Sequence, residues 1–167
     1  MRFLDIPQYT RAKYEVDVGW AHLEYEVEQY KIDFSPDYQR EHVWNTQQQI
    51  AFVEFCLRGG ESGKSIYFNY ATKDNPHNER IEIVDGKQRL TAARRFMAND
   101  LPAFGYTLNQ FEDRLSPMEV RFRFHINDLE TRADVISWYL DLNYRGTPHT
   151  EEELQRVQRL LTEENGE

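Results

Sequence analysis

A polar turn at residues 84–91, Val-Asp-Gly-Lys-Gln-Arg-Leu-Thr, constrains the fold of this chain more than any other segment. It follows an apolar run typical of a strand, Ile81–Val84, and precedes an apolar periodicity typical of a helix, residues 87–98. Such a turn gathers backbone N–H groups, the positive end of a helix dipole and two cationic side chains, Lys87 and Arg89. The sequence therefore predicts a phosphate-binding turn between a strand and a helix.

The rest of the periodicity predicts a mixed α+β domain. Strands are expected at 14–18, 66–70, 81–84 and 120–126, and helices at about 20–29, 45–58, 87–98, 130–142 and 150–164. Asn45 is a candidate N-cap, and Thr150 with Glu153 fits a capping box. Because the chain has 167 residues and no repeat, we expect one domain over 1–167, a small mixed β-sheet flanked by helices, ending in an acidic helix or tail at about 150–167.

The charge distribution favours a small anionic ligand. A net charge of −9 argues against broad affinity for a nucleic-acid backbone, so direct DNA binding is the less expected activity. Residues 85–95 reverse the balance, since four cationic side chains stand there against Asp85 alone. We therefore expect a small cationic pocket on an acidic body.

Cysteine content and hydropathy bear on the compartment. Cys56 is the only cysteine, which excludes an intramolecular disulfide, and its apolar surroundings predict a buried thiol. The sequence has no apolar run of about 18 residues and no pattern typical of a signal peptide. We expect a cytoplasmic protein with no membrane partner, in the host cytoplasm if the chain is virus-encoded.

A second glycine-rich segment, residues 59–65, ends like a Walker A loop but departs from that motif. Arg58 stands where the motif requires its first glycine, and the segment leaves a predicted helix and enters a predicted strand, the reverse of a P-loop. We interpret it as a loop after a helix.

The segment Asp-Tyr-Gln-Arg-Glu-His-Val-Trp, residues 37–44, is unusually rich in donors and acceptors for a connection between helices. Two interpretations are open. Either Arg40 pairs with a carboxylate while Tyr38 and Trp44 fill the core, or the segment joins a site together with the turn and a third motif, residues 143–148, Asn-Tyr-Arg-Gly-Thr-Pro.

The three motifs, taken in order, resemble the DUF262 domain, the N-terminal domain of GmrSD-type modification-dependent restriction enzymes and related phage-defence proteins. The family patterns are roughly Asp-Phe-Gln-Arg, Asp-Gly-Gln-Gln-Arg-Leu and Leu-Asn-x-x-Gly, and the resemblance spans about residues 20–160. It implies a ParB/sulfiredoxin-like fold, nucleotide binding, and nucleoside-triphosphate hydrolysis without a P-loop, as in several members.

The resemblance also implies which residues form the site. The family motifs place Gln39, Arg40, Gly86, Asn143 and Gly146 among the expected phosphate- or nucleotide-binding residues, and the turn itself adds Lys87 and Thr91. The expected catalytic residues are Asp85, Gln88 and Arg89. Lys87 departs from the family, which usually has Gln there, and adds a charge beside the phosphate.

Charge suggests a role for each group. Arg40 and Arg89 would neutralise a triphosphate, and Asp85 would hold Mg²⁺ or orient a water. Gln88 and Asn143 would position a water or a phosphate oxygen, and Tyr38 or Trp44 could stack on a base. If Arg40 and Arg89 converge without carboxylate partners, an anion should bind between them, and Arg89→Ala should abolish nucleotide-induced stabilisation without unfolding the protein. The alternative is structural: Asp85 caps the helix and Arg89 pairs with it.

Two other functions compete with hydrolysis. The chain could be a non-catalytic binding module or antagonist that occupies a restriction or defence protein, or it could recognise modified DNA, which the charge makes less expected. Nuclease activity is not expected, because no room remains by residue 167 for an HNH domain and the five histidines are scattered.

Overall fold

A mixed four-stranded sheet organises the computed structural model, which describes residues 13–39, 44–70, 80–116, 120–144 and 151–164. The strands are β1 (Tyr14–Gly19), β2 (Ser65–Tyr70), β3 (Ile81–Asp85) and β4 (Arg121–Asn127), in the spatial order β1-β4-β2-β3. β4 lies antiparallel to β1 and parallel to β2, and β3 pairs antiparallel with β2. The predicted small mixed sheet is confirmed.

Five helices accompany the sheet within the described ranges. They are α1 (Leu23–Gln29), α2 (Thr46–Leu57), α3 (Lys87–Met97), α4 (Arg132–Tyr144) and α5 (Glu151–Glu164). Asn45 caps α2 as predicted: its side chain accepts from the Gln48 amide, and the Gln48 side chain accepts from the Asn45 amide, both at 2.9 Å. Thr150, the other predicted cap, lies outside the described residues.

One face of the sheet packs against α2 and α3. Strict alternation along β4 buries Phe122, Phe124 and Ile126 on this face. Cys56 of α2 lies in the same cluster, fully buried, and burial raises the pKa of its thiol to about 11. The predicted buried thiol is confirmed, and its raised pKa makes it a poor nucleophile.

The opposite face packs against α4 at the β2–β3 side of the sheet, and α5 packs against α4. Val84 and the half-buried Tyr67 meet Val135 and Trp138 of α4 there. Because neighbouring residues of a strand face opposite ways, Ile83 belongs to the first cluster and Val84 to the second. The end of β3 is thereby fixed between two packed layers.

No described helix combines the length and the apolar character that crossing a membrane requires.

Candidate functional site

A cavity of about 340 Å³ opens where β3 ends and α3 begins. The predicted turn contributes the five residues Asp85 to Arg89, the predicted donor-rich segment contributes Gln39 and Trp44, and the C-terminal half of α4 contributes Asn143. The convergence of these three segments is confirmed for the residues that the structure describes. Arg40 and Gly146, which were also expected here, lie outside them.

Gly86 makes the sharp turn from strand to helix. It is the N-cap of α3 with a φ of 101°, and its carbonyl accepts the first intrahelical bond from the Leu90 amide at 2.9 Å. A Cβ on Gly86 would lie 2.5 Å from Cδ1 of Ile66. Glycine is therefore required here both by its left-handed conformation and by close packing.

Asp85 and Arg89 form an ion pair across one helical turn, with 2.6 Å between Oδ2 and Nη2. Nη1 of Arg89 also donates to the carbonyls of Gly63 and Ser65, at 2.9 and 2.8 Å. The structural alternative is confirmed for this pair: Arg89 has a carboxylate partner, so the condition under which an anion was expected between Arg40 and Arg89 is not met at Arg89. The other half of that alternative is wrong, since α3 is capped by Gly86 and no side chain caps it.

Among the described residues that line the cavity, Lys87 is a cation without an ion-pair partner in the described part of the chain. Its side chain is half-buried in the cavity wall. It is also the first residue of α3, where the backbone N–H groups of the first turn lack intrahelical acceptors. An anion in the cavity would contact both the Lys87 side chain and these backbone N–H groups.

The side chains of two glutamines form hydrogen bonds between the donor-rich segment and the turn. Nε2 of Gln39 donates to the carbonyls of Ile83 and Val84, both at 2.8 Å. Oε1 of Gln88 accepts from the Trp44 amide at 3.0 Å. The motif residues thus position the backbone around the cavity in addition to lining it.

Asn143 and Thr91 differ in their relation to the cavity. Asn143 lines it while its Nδ2 donates to the Tyr139 carbonyl, one helical turn back, at 2.7 Å. Thr91 lies half-buried in the second turn of α3 and is not among the lining residues. Asn143 is therefore part of the cavity wall, and Thr91 is not.

The two aromatic candidates for base stacking occupy different environments. Tyr38 is fully buried, with its ring 5.1 Å from that of Tyr139 and the guanidinium of Arg132 over its face at 4.8 Å. A ring in this position offers no face to a base, which corrects the stacking role expected of Tyr38. Trp44 lines the cavity half-buried, 5.5 Å from the ring of Phe52, and remains a candidate.

A buried ionic group that the sequence reasoning missed lies beneath the donor-rich segment. Arg132 of α4 pairs with Glu82 of β3 at 2.9 Å and with Asp37. Burial raises the pKa of the Glu82 carboxyl to about 7, the charge of Asp33 adds to the rise, and a hydrogen bond with Tyr38 opposes it. A single acid within the apolar run Ile81–Val84 was the signal that could have revealed this group.

The segment that resembles a Walker A loop adjoins the site without acting as a P-loop. It runs from the end of α2 into β2, as predicted, and Gly63 with a φ of 76° forms part of the cavity wall. Lys64, the residue that would bind phosphate in a Walker A motif, pairs instead with Glu61 at 3.0 Å.

The protein supplies few metal ligands of its own. Among the described residues no group of three or more His, Cys, Asp or Glu side chains could hold a metal ion. Of the described residues that line the cavity, Asp85 is the single carboxylate, 31% exposed. A Mg²⁺ ion here would depend on oxygens that a phosphate ligand brings.

The family model described as the N-terminal domain of the GmrSD restriction endonuclease matches residues 23–159, which covers most of the chain. No curated protein matches. No solved structure matches either.

Proposed function

The chain belongs to the family of the GmrSD restriction endonuclease N-terminal domain, and from this premise we propose that it binds a nucleoside triphosphate and hydrolyses it. The cavity at the start of α3 is the proposed site. The observation that carries the proposal is Lys87, a cation in the cavity wall with no ion-pair partner among the described residues.

Electrostatics supports a polyphosphate in this position. Exposed ion pairs elsewhere in the protein satisfy their own charges, such as Arg123 with Asp17 at 2.9 Å. Lys87 instead stands at the positive end of the α3 dipole, next to backbone N–H groups without a side-chain cap. A phosphate oxygen would complete this arrangement, and the acidic body of the protein would disfavour a long polyanion over a single nucleotide.

The neighbouring groups suit the other parts of a nucleotide. Gln88 and Asn143 are neutral side chains that can orient a water or a phosphate oxygen, and Trp44 can stack on a base. In hydrolysis, a water oxygen bonds to the γ-phosphorus while the bond to the bridging oxygen breaks; the nucleoside diphosphate leaves with the negative charge of that bond, and the proton of the water passes to a phosphate oxygen and then to solvent. Lys87 stabilises this charge as it develops.

Asp85 fits a supporting role for Mg²⁺. One carboxylate with the phosphate oxygens and waters is a common coordination for this ion, and Asp85 is the carboxylate that faces the cavity. When bound, the metal would neutralise phosphate charge. The Arg89 partner holds the Asp85 carboxylate in one orientation.

The same ion pair favours a second candidate function, nucleotide binding without turnover. Asp85 and Arg89 satisfy each other at 2.6 Å, and Arg89 also donates to two carbonyls. If these bonds persist with ligand bound, neither residue is available to the reaction. The chain would then act as a nucleotide-sensing module within a restriction or defence system.

Titration of the four ribonucleoside triphosphates, with and without Mg²⁺, tests both functions. We expect at least one nucleotide to raise the melting temperature of wild type, and Lys87→Ala to reduce that stabilisation by about 1–2 kcal/mol at saturating ligand. Lys13→Ala is the matched control, because Lys13 is exposed and pairs with Asp128 away from the cavity. Phosphate release separates hydrolysis from binding alone, and the absence of any stabilisation would refute both.

A further inference from the structure

Arg156 of α5 binds three successive carbonyls of the donor-rich segment. Nη1 donates to the Asp37 carbonyl at 2.7 Å, and Nη2 donates to the carbonyls of Gln39 and Tyr38 at 3.0 and 3.4 Å. These bonds connect residues more than a hundred positions apart in the chain, and Arg156 is not among the residues that line the cavity.

The bound segment leads directly to the cavity. Gln39, whose carbonyl accepts from Arg156, sends its own side chain to the carbonyls of Ile83 and Val84. Val84 immediately precedes Asp85. A continuous set of hydrogen bonds therefore runs from α5 through Gln39 to the end of β3.

Arginine is suited to this task for a geometric reason. Turn carbonyls that are withdrawn from water need donors, and a planar guanidinium presents several in a fixed fork. Lysine carries the same charge on a single nitrogen, so it cannot occupy both of the positions from which Nη1 and Nη2 donate. Comparing arginine with lysine at position 156 therefore separates the effect of the positive charge from the effect of the hydrogen-bond geometry.

We infer that Arg156 is a positioning residue: it holds Asp37–Gln39 in the conformation that places Gln39 against β3 and shapes the cavity. This inference rests on the proposed function for its effect on nucleotide affinity. In the sequence Arg156 is one cation within an acidic segment, and its positioning role comes from the contacts between α5 and the donor-rich segment.

The first experiment compares nucleotide affinity in Arg156→Ala, Arg156→Lys and Arg159→Ala. Arg159 is an exposed arginine of the same helix, so its removal changes net charge equally without touching the segment. We expect the dissociation constant to rise about tenfold or more in both Arg156 variants, because misplaced site groups lose affinity steeply, and to change less than twofold in Arg159→Ala. Wild-type affinity in Arg156→Lys would overturn the inference, since charge alone would then suffice.

The second experiment needs no ligand. The Gln39 amide donates to the Pro36 carbonyl at 3.0 Å, so its hydrogen-exchange rate reports the conformation of the segment. We expect this rate to rise about tenfold in both Arg156 variants, while the Leu90 amide, bonded to Gly86 in α3, keeps its rate. Arg156→Lys retains charge and helix propensity, so it serves if the alanine variant unfolds.

The two experiments separate the inference from the proposed function. Faster Gln39 exchange in a protein that binds no nucleotide would support the positioning role and refute nucleotide binding. Unchanged Gln39 exchange would overturn the positioning role whatever the protein binds.

Discussion

Gly86 approaches Ile66 so closely that a Cβ added to the glycine would meet Cδ1 of the isoleucine at 2.5 Å. The glycine also has a φ of 101°, which disfavours any side chain. We expect Gly86→Ala to lower the free energy of unfolding by about 2–4 kcal/mol, from backbone strain and overpacking together. Urea denaturation gives this quantity.

Gly59→Ala is the matched control for Gly86→Ala. Gly59 has a φ of 83° but nothing lies within 4 Å of the position its Cβ would take, so it carries the backbone cost alone, about 1–2 kcal/mol. Shortening the neighbour with Ile66→Val removes Cδ1, so the cost of Gly86→Ala should be smaller in that background. Equal costs in both backgrounds would show that Ile66 does not set the requirement for glycine.

We expect Arg89 to stabilise the folded protein as well as to contribute charge to the cavity. Arg89→Ala removes an ion pair and two donors to the carbonyls of Gly63 and Ser65, from a side chain only 18% exposed. We expect the free energy of unfolding to fall by about 2–4 kcal/mol, which replaces the expectation of an unperturbed fold. Arg80→Ala, at an exposed position, is the control, and an equally small effect from both would contradict the role of Arg89.

Asp85→Asn separates binding from turnover. The substitution keeps the size of the side chain and removes the negative charge next to the proposed phosphate site. We expect nucleotide binding to persist and phosphate release to fall by roughly two orders of magnitude. Asp141→Asn, an exposed change of the same charge, should have neither effect. Unaltered phosphate release in Asp85→Asn would remove Asp85 from the mechanism.

Glu82 should make stability depend on pH. Burial raises the pKa of its carboxyl from 4.5 to about 7, so the folded protein binds a proton over this interval that the unfolded chain has lost. The stability that Glu82 contributes is therefore complete below about pH 4.5 and declines as pH rises to about 7. Arg132, at 2.9 Å, limits the decline, which we expect to be about 1–3 kcal/mol.

The comparison with Glu82→Gln isolates this effect. Glutamine can still accept from Arg132 but does not titrate, so the stability of wild type relative to Glu82→Gln should fall between pH 5 and 7.5. Denaturation of both proteins at matched pH values provides the difference and cancels the other titrating groups. A difference that grows with pH would mean that the ion pair outweighs burial.

Local sequence patterns predicted the strands and helices of this fold better than they predicted which strands pair. Alternation marked β4, since Phe122, Phe124 and Ile126 face one side and His125 the other. Alternation cannot reveal that β4 runs parallel to β2, because both faces and both directions satisfy the same pattern. Pairing is decided by contacts between segments distant in sequence.

The parts of the site that depend on backbone geometry could be predicted from the sequence. The contacts of individual side chains could be predicted less well. The glycine between Asp85 and Lys87 indicated a strand-to-helix turn, and the turn is present. Tyr38 was ambiguous because a tyrosine suits both a core and a base-stacking surface, and packing against Tyr139 decided for the core. Arg89 was similarly ambiguous until the carbonyls of Gly63 and Ser65 were placed next to it.

The position of β4 between β1 and β2 also has a consequence for biosynthesis. In the described sheet, β1 pairs only with β4, and Tyr14 meets Ile126, more than a hundred positions further along the chain. During synthesis, β1 therefore cannot form this pairing until β4 has been synthesised and has left the ribosomal exit tunnel. Until then β1 lacks the partner strand that it has in the described sheet, so we expect this stage of synthesis to be the one at which the nascent chain most depends on chaperones.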